Sequence, residues 1–327
     1  MKIPSDEIKN IKTLENFCRF FAISEEQLVH FRKHKNELFK VAKIGKRSGG
    51  HRIIYPIGDD GYRNFLKATA EILDDHYMHN SSSPPQSVHG FLRNRSIITN
   101  AQCHVKKKIL LNLDIKDFFE SITKDKINEI FIDLGFSKNH SSILTEFVTV
   151  NDVLATGFPS SAVLANIVCK QMDYGFEILC KKYEATYTRY ADDISISSNI
   201  SIPEKEVIVK LLCGYGFEIN DRKYKISPRG GNQYVTGLTV CDERPRLSRK
   251  LKRSIRLELY YIKKYGSTDH FLHNLNRSIY SKFTGMLFTY SMGGYISFIH
   301  SIEPELAKKI RKVLSYTKIK ANFFLEE

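Results

Sequence analysis

No run of apolar residues in the 327-residue chain approaches the ~20 needed to span a membrane. No CxxC pair or zinc-type spacing joins Cys18, Cys103, Cys169, Cys180, Cys213 and Cys241, so free thiols in a reducing cytoplasm are expected. The first seven residues, Met1 to Glu7, are polar and acidic, unlike a signal peptide. Repeats are missing, and so are low-complexity tracts apart from Ser81-Ser82-Ser83-Pro84-Pro85. Acidic charge is also short: 36 Asp+Glu face 50 Lys+Arg, giving +14 and a pI of about 9.3. That excess points to a polyanionic partner, nucleic acid first and an anionic membrane surface second. Between Glu243 and Glu327 lie 17 basic and 7 acidic side chains, so +10 of the +14 falls in the last quarter.

What is present is ordinary globular material. Hydrophobic residues make up 42% and charged residues 26%, which rules out wholesale disorder and supports a large core. The pattern predicts two helices within residues 1–40, the second opening near Ser24, and a basic hairpin from Lys43 to Ile57 turning at Gly49-Gly50. A helix over 61–78, a short apolar strand Ile109–Asp114 and helices over 124–134, 140–150 and 160–182 follow. A hairpin Thr186–Tyr190 and Ile194–Ser198, a helix over 203–214 and strands near 224–228 and 233–240 complete an α+β sheet domain. After Pro245 the pattern is helical, and the composition shift near residue 243 marks the best boundary.

Two acidic sites stand out: Asp114 at a strand end and Asp192-Asp193 at a hairpin tip. Asp favours turns on its own account, so the pair counts only for what surrounds it. Two strand ends side by side can hold two divalent cations about 3.5–4 Å apart, as phosphoryl transfer requires. Carboxylate oxygens suit Mg²⁺.

The surrounding residues carry a resemblance. Tyr190-Ala191-Asp192-Asp193 resembles the YxDD box of reverse transcriptases, and Leu113-Asp114-Ile115-Lys116-Asp117-Phe118-Phe119 resembles their first catalytic motif. Gly157-Phe158-Pro159 through Asn166 resembles the loop and helix that cradle the incoming nucleotide, with Thr156 where Gln is usual. Gly216 to Asn220 with Lys223 resembles the lysine-bearing palm motif. Asn100-Ala101-Gln102-Cys103-His104 and Val235-Thr236-Gly237 match the NAxxH and VTG boxes of bacterial retron reverse transcriptases.

The resemblance implies a right-hand polymerase fold with fingers, a palm carrying an antiparallel sheet, and a helical thumb. Fingers would span 1–104 with an insertion at 122–152, the palm would lie within 105–242, and a basic thumb would occupy 243–327. It implies catalytic Asp114, Asp192 and Asp193, with the backbone of Ile115 beside them, holding two Mg²⁺ ions. Arg52, the Ile115 amide, Phe119, Gly157, Pro159 and Lys223 would meet the nucleotide: Arg52 over the triphosphate, Phe119 under the sugar as a gate against a 2′-hydroxyl, Lys223 as general acid to the pyrophosphate. Phe119 read alone would more readily be a core residue packed beside Phe118. RNA would meet Asn100, His104, Val235, Thr236 and Gly237, and phosphates would meet Arg249, Lys250, Lys252, Arg253 and Arg256.

The implied reaction is RNA-directed DNA synthesis from dNTPs on a cognate noncoding RNA serving as template and primer. It would start at an internal guanosine 2′-hydroxyl and give branched RNA–DNA (msDNA), in anti-phage defence with a separate effector protein and host RNase H. The length leaves no room beside fingers, palm and thumb for those last two. An abortive-infection type reverse transcriptase and a catalytically idle RNA-binding scaffold remain the rivals.

Overall fold

The computed structural model describes residue 8 and residues 10–45, 49–79, 84–265 and 293–316. They form two compact units, Met1–Ser96 with Lys108–Ser227, and Ile97–Lys107 with Pro228–Glu327. Parts of the expected thumb, residues 266–292 and 317–327, lie outside the described residues.

In the first unit, helix Glu25–Lys33 begins at Ser24 with a reciprocal capping box: Gln27 N–H donates to Ser24 Oγ (3.0 Å) and Ser24 N–H to Gln27 Oε1 (2.9 Å). Helix Asp60–His79 buries Tyr62, Phe65, Leu66 and Leu73, and Phe65 meets Phe21, Phe31 and Phe147 in tilted or edge-on contacts. Strands Ala42–Gly45 and His51–Ile54 form the expected basic hairpin. The helix expected over 140–150 runs Lys138–Val148, because Thr149–Val150 instead pairs with Val153–Leu154.

The sheet that positions the site is four-stranded, in the order Thr186–Tyr190, Asp193–Ser198, Ile109–Asp114, Lys225–Pro228. Strand Ile109–Asp114 runs antiparallel to Asp193–Ser198 with Asp114 opposite Asp193 and Ile109 opposite Ser198. Leu110, Leu111, Leu113, Ile194 and Ile196 are buried, so a slip of one residue would exchange the faces of both strands. The 21-residue helix Ser161–Lys181 buries Leu164, Met172 and Phe176, with Phe176 stacked on Tyr187 of the sheet at 4.8 Å.

In the second unit, the strand expected near 233–240 is a tight hairpin, Tyr234–Val235 against Leu238–Thr239. Thr236 (φ 46°) and Gly237 (φ 84°) form its two-residue turn, and a turn with both central residues at positive φ matches the twist of the flanking strands. Arg246–Leu247 adds a third strand, so helix begins at Arg249 and not directly after Pro245. Helices Arg249–Tyr265 and Pro304–Tyr316 follow among the described residues.

Candidate active site

Asp114 and the pair Asp192-Asp193 are brought together by sheet register. Asp114 ends its strand opposite Asp193, and Ile115 N–H donates to the Asp192 carbonyl (2.9 Å), fixing the hairpin turn against the neighbouring strand. Ala191 takes φ 58° in that turn. Asp114 is buried; Asn220 Nδ2 donates to its Oδ1 (3.3 Å) and Lys223 Nζ to its Oδ2 (2.5 Å). Burial first, then the Asp193 and Asp114 carboxylates, push the Asp192 carboxyl up to about 6. Asp193 shifts the same way, raised by the protein packed against it and by Asp114, with Lys223 opposing. Desolvation pulls Lys223 down, but its hydrogen bond to Asp114 and the three carboxylates carry it above its ordinary value, so it stays protonated.

Asp114, Asp192 and Lys223 open onto a cleft of about 760 Å³, whose lining does not include Asp193. Its lining includes Asp114, Ile115, Phe119, Asp192, Arg52 and Lys223 of the expected residues, together with Thr156 and Phe91. Phe118 is buried and meets Phe119 edge-on at 5.3 Å; both rings border the cleft, with Phe118 packed in the core and Phe119 the more exposed of the two. Gly157 and Pro159 do not line the cleft. Gly157, at φ 100°, supports it: Tyr55 N–H donates to the Thr156 carbonyl (2.9 Å), tying the end of the basic hairpin to this loop. The Ile115 amide, expected to face phosphate, is committed to Asp192, and the Lys116 amide to the Glu218 carbonyl (2.8 Å). Sheet formation claims both donors, which a strand-end reading of the sequence does not show.

Beneath the hairpin turn lies a charge network that sequence reasoning missed. Arg189 is fully buried; its Nε and Nη2 donate to the two Asp173 oxygens (both 2.7 Å), Nη2 also to Asn166 Oδ1 (3.2 Å), and Nη1 to the Ala191 carbonyl (3.1 Å). Tyr187 Oη donates to Asp173 (2.7 Å). The single legible signal was an arginine inside an otherwise apolar and hydroxyl-rich strand, which demands a buried partner.

The two boxes of the second unit pack on each other. Thr236 Oγ1 donates to the Ile97 carbonyl (3.2 Å), at the start of helix Ile97–Gln102 that carries Asn100. Asn100, His104 and Val235 are buried, leaving Thr236 and Gly237 nearer the surface. Of the basic helix, Arg249, Lys250, Arg253 and Arg256 are exposed, whereas Lys252 pairs with Glu303 at 2.6 Å and braces the unit. A second cleft of about 510 Å³ is lined by Lys106, Lys107, Arg229, Arg246, Arg249 and Lys252, with Asp242 its one acid.

Residues 44–239 match the family model described as reverse transcriptase (RNA-dependent DNA polymerase). That match covers more than half of the chain and assigns the fold as a right-hand polymerase. The chain is 26% identical over 312 residues to the retron Ec86 reverse transcriptase of Escherichia coli, covering 94% of this chain and 88% of that one. It is 30% identical over 307 residues to the Escherichia coli retron Ec73 reverse transcriptase, covering 86% of each. It is 35% identical over 195 residues to the retron Se72 reverse transcriptase of Salmonella heidelberg (strain 579083-10), covering 57% of this chain and 52% of that one. The chain therefore belongs to the reverse transcriptases and, within them, to those of retrons. Its activity is RNA-directed DNA polymerisation, and an RNA template is its partner. No helix among the described residues is long and apolar enough to cross a membrane.

Proposed function

We propose that this enzyme copies a cognate structured noncoding RNA, priming from the 2′-hydroxyl of an internal guanosine to give msDNA, with Asp114, Asp192 and Asp193 as its catalytic carboxylates. The observation that carries the reading is the convergence of Asp114 and Asp192 with Arg52, Phe119 and Lys223 around one cleft, with Asp193 paired opposite Asp114 in the sheet. The oxygen donors fit two Mg²⁺ ions: burial first, and then the crowding of three carboxylates, hold Asp192 near 6. No group of three or more His, Cys, Asp or Glu among the described residues is placed to hold a metal alone, and Mg²⁺ ordinarily takes remaining ligands from water and substrate phosphates. When bound, the ions lower the pKa of the attacking hydroxyl and stabilise the pyrophosphate.

The chain's own residues supply the rest. Asp114, Asp192 and Asp193 place the attacking hydroxyl in line with the α-phosphorus. Arg52 presents a guanidinium fork to the triphosphate, and the rim of Phe119 excludes a 2′-hydroxyl from the incoming sugar. The attacking hydroxyl loses its proton to water in the cleft as the new P–O bond forms, and as the bond from the α-phosphorus to the bridging oxygen breaks, Lys223 Nζ gives its proton to the leaving pyrophosphate. The hand divides as fingers 1–104 with 122–152, palm within 105–242, and thumb 243–327. Exposed Arg249, Lys250, Arg253 and Arg256 hold RNA phosphates, Thr236 and Gly237 meet RNA, and Asn100, His104 and Val235 shape that surface from inside. The same proposal extends to defence against phage, with a separate effector and host RNase H, and the retron assignment supports it.

The test is expression of the chain with its flanking genomic DNA. The expected product is short DNA joined to RNA, released only by a 2′,5′-specific debranching activity and absent with Asp192→Asn/Asp193→Asn. Unbranched DNA, or product from the double variant, overturns the reading.

A further inference from the structure

Phe91 lines the polymerase cleft, yet the chemistry above leaves it unused. Its side chain is 44% exposed and its backbone stands at φ 61°. A bulky L-residue in the left-handed region is held there against its preference, and an exposed ring recovers little of that cost by burial. Strain of this kind persists where the surrounding structure over-determines it, and it collects at functional sites.

The constraint comes from the preceding residues. His89 N–H donates to the Arg189 carbonyl (2.8 Å), and Asn166 Nδ2 donates to the Gly90 carbonyl (3.0 Å). A Cβ on Gly90 would meet the Ala191 amide nitrogen at 2.4 Å, so only glycine allows this approach. Residues 89 and 90 are thereby sewn to the turn that presents Asp192, and the next residue is delivered into the cleft beside it. Asn166 also accepts from Arg189, so one buried network holds the catalytic turn and the Phe91 segment in a single register.

We propose that Phe91 is a stacking platform for the terminal base pair of the template–primer duplex. The ring is tied to the turn carrying Asp192, whereas Arg52, Phe119 and the Thr156 loop, which face the incoming nucleotide, belong to other elements. Stacking on an aromatic face serves every base, as a polymerase that must translocate along any sequence requires. The proposal rests on the reading of this cleft as the polymerase site.

The full-length protein is titrated with an RNA template annealed to a DNA primer, and steady-state incorporation and Tm are measured beside binding. Phe91→Gly is expected to weaken template–primer binding about 5- to 100-fold. It should not raise the KM for dNTP, because the incoming base takes over the face that the ring covers, and it should hold or raise Tm, because glycine accepts the positive φ. Phe91→Trp should bind like wild type. Unchanged template–primer affinity in Phe91→Gly overturns the proposal. So does an effect confined to the dNTP KM, or a loss accompanied by a fall in Tm that Phe91→Trp does not recover. Asp192→Asn separates the two readings: it should bind template–primer normally without incorporating. Incorporation by that variant contradicts the reading of the cleft as the polymerase site, leaving the affinity result for Phe91 to stand or fall by itself.

Discussion

The two clefts of this enzyme use charge in opposite ways. The cleft of the first unit is lined by six acids, Asp114, Asp117, Glu120, Asp192, Glu218 and Asp221, against four bases, Arg52, Lys116, Arg222 and Lys223. The cleft of the second unit has six bases and one acid. In the first, each essential group is fixed by strand register, a backbone hydrogen bond or a buried partner. In the second, Lys107, Arg229 and Arg249 are partly or fully exposed, and the glycines of Arg229-Gly230-Gly231 contribute no side chains. On the function proposed above, the difference separates tasks: phosphoryl transfer needs a few groups held to a fraction of an ångström, whereas gripping a phosphate backbone needs many that add up.

Substitutions should respect that separation. The largest effect is expected of Asp192→Asn. Losing a ligand that serves the transition state costs several kcal/mol, about a thousandfold or more in turnover. Tm should hold or rise, because burial and the neighbouring carboxylates disfavour the charge that is removed. Next comes Arg189→Met, which strands Asp173 in the interior. Breaking a buried pair from one side costs about 3–5 kcal/mol, to be read by chemical denaturation, and Arg189→Met/Asp173→Leu should recover part of it.

A smaller effect is tied to pH. Burial first, and then Arg95, lower the His89 pKa from 6.5 to about 4, so the folded protein keeps it neutral while the unfolded chain protonates it. This stability is fully present above pH 6.5 and is lost as pH falls from 6.5 towards 4. The slope of unfolding free energy against pH in that window should flatten in His89→Gln. The smallest effect is expected of Arg249→Ala, which should weaken RNA binding a few-fold and lower the slope of log K against log salt by about 1.

Much of the first cleft was legible because its signals are local. Asp114 ends an apolar strand, Asp192-Asp193 sits between two alternating strands, and Ser24 with Gln27 announces a helix start. What escaped depends on partners distant in the chain. Arg189 is satisfied from the helix bearing Asn166 and Asp173, and the left-handed Phe91 is imposed by Gly90 meeting Ala191 about a hundred residues later. Neither leaves a period to count. The hairpin at Val235-Thr236-Gly237 was hidden for another reason: a threonine at φ 46° is not a usual turn residue, so the apolar run around it looked continuous. The burial of Asn100 and His104 accompanies the docking of that hairpin on helix Ile97–Gln102, which carries Asn100 and is followed by His104, a tertiary fact that the boxes alone do not state.

The separation of chemistry from grip is tested most directly by measuring, on one RNA template–DNA primer, both equilibrium affinity and single-turnover incorporation. The two proteins to compare are Asp192→Asn and Lys107→Ala/Arg229→Ala/Arg249→Ala. The account predicts that Asp192→Asn binds like wild type and does not incorporate. The triple variant should bind at least about tenfold more weakly at physiological salt, yet incorporate at the wild-type rate once saturated. Incorporation by Asp192→Asn, or a triple variant that binds normally or stays slow at saturation, would contradict it.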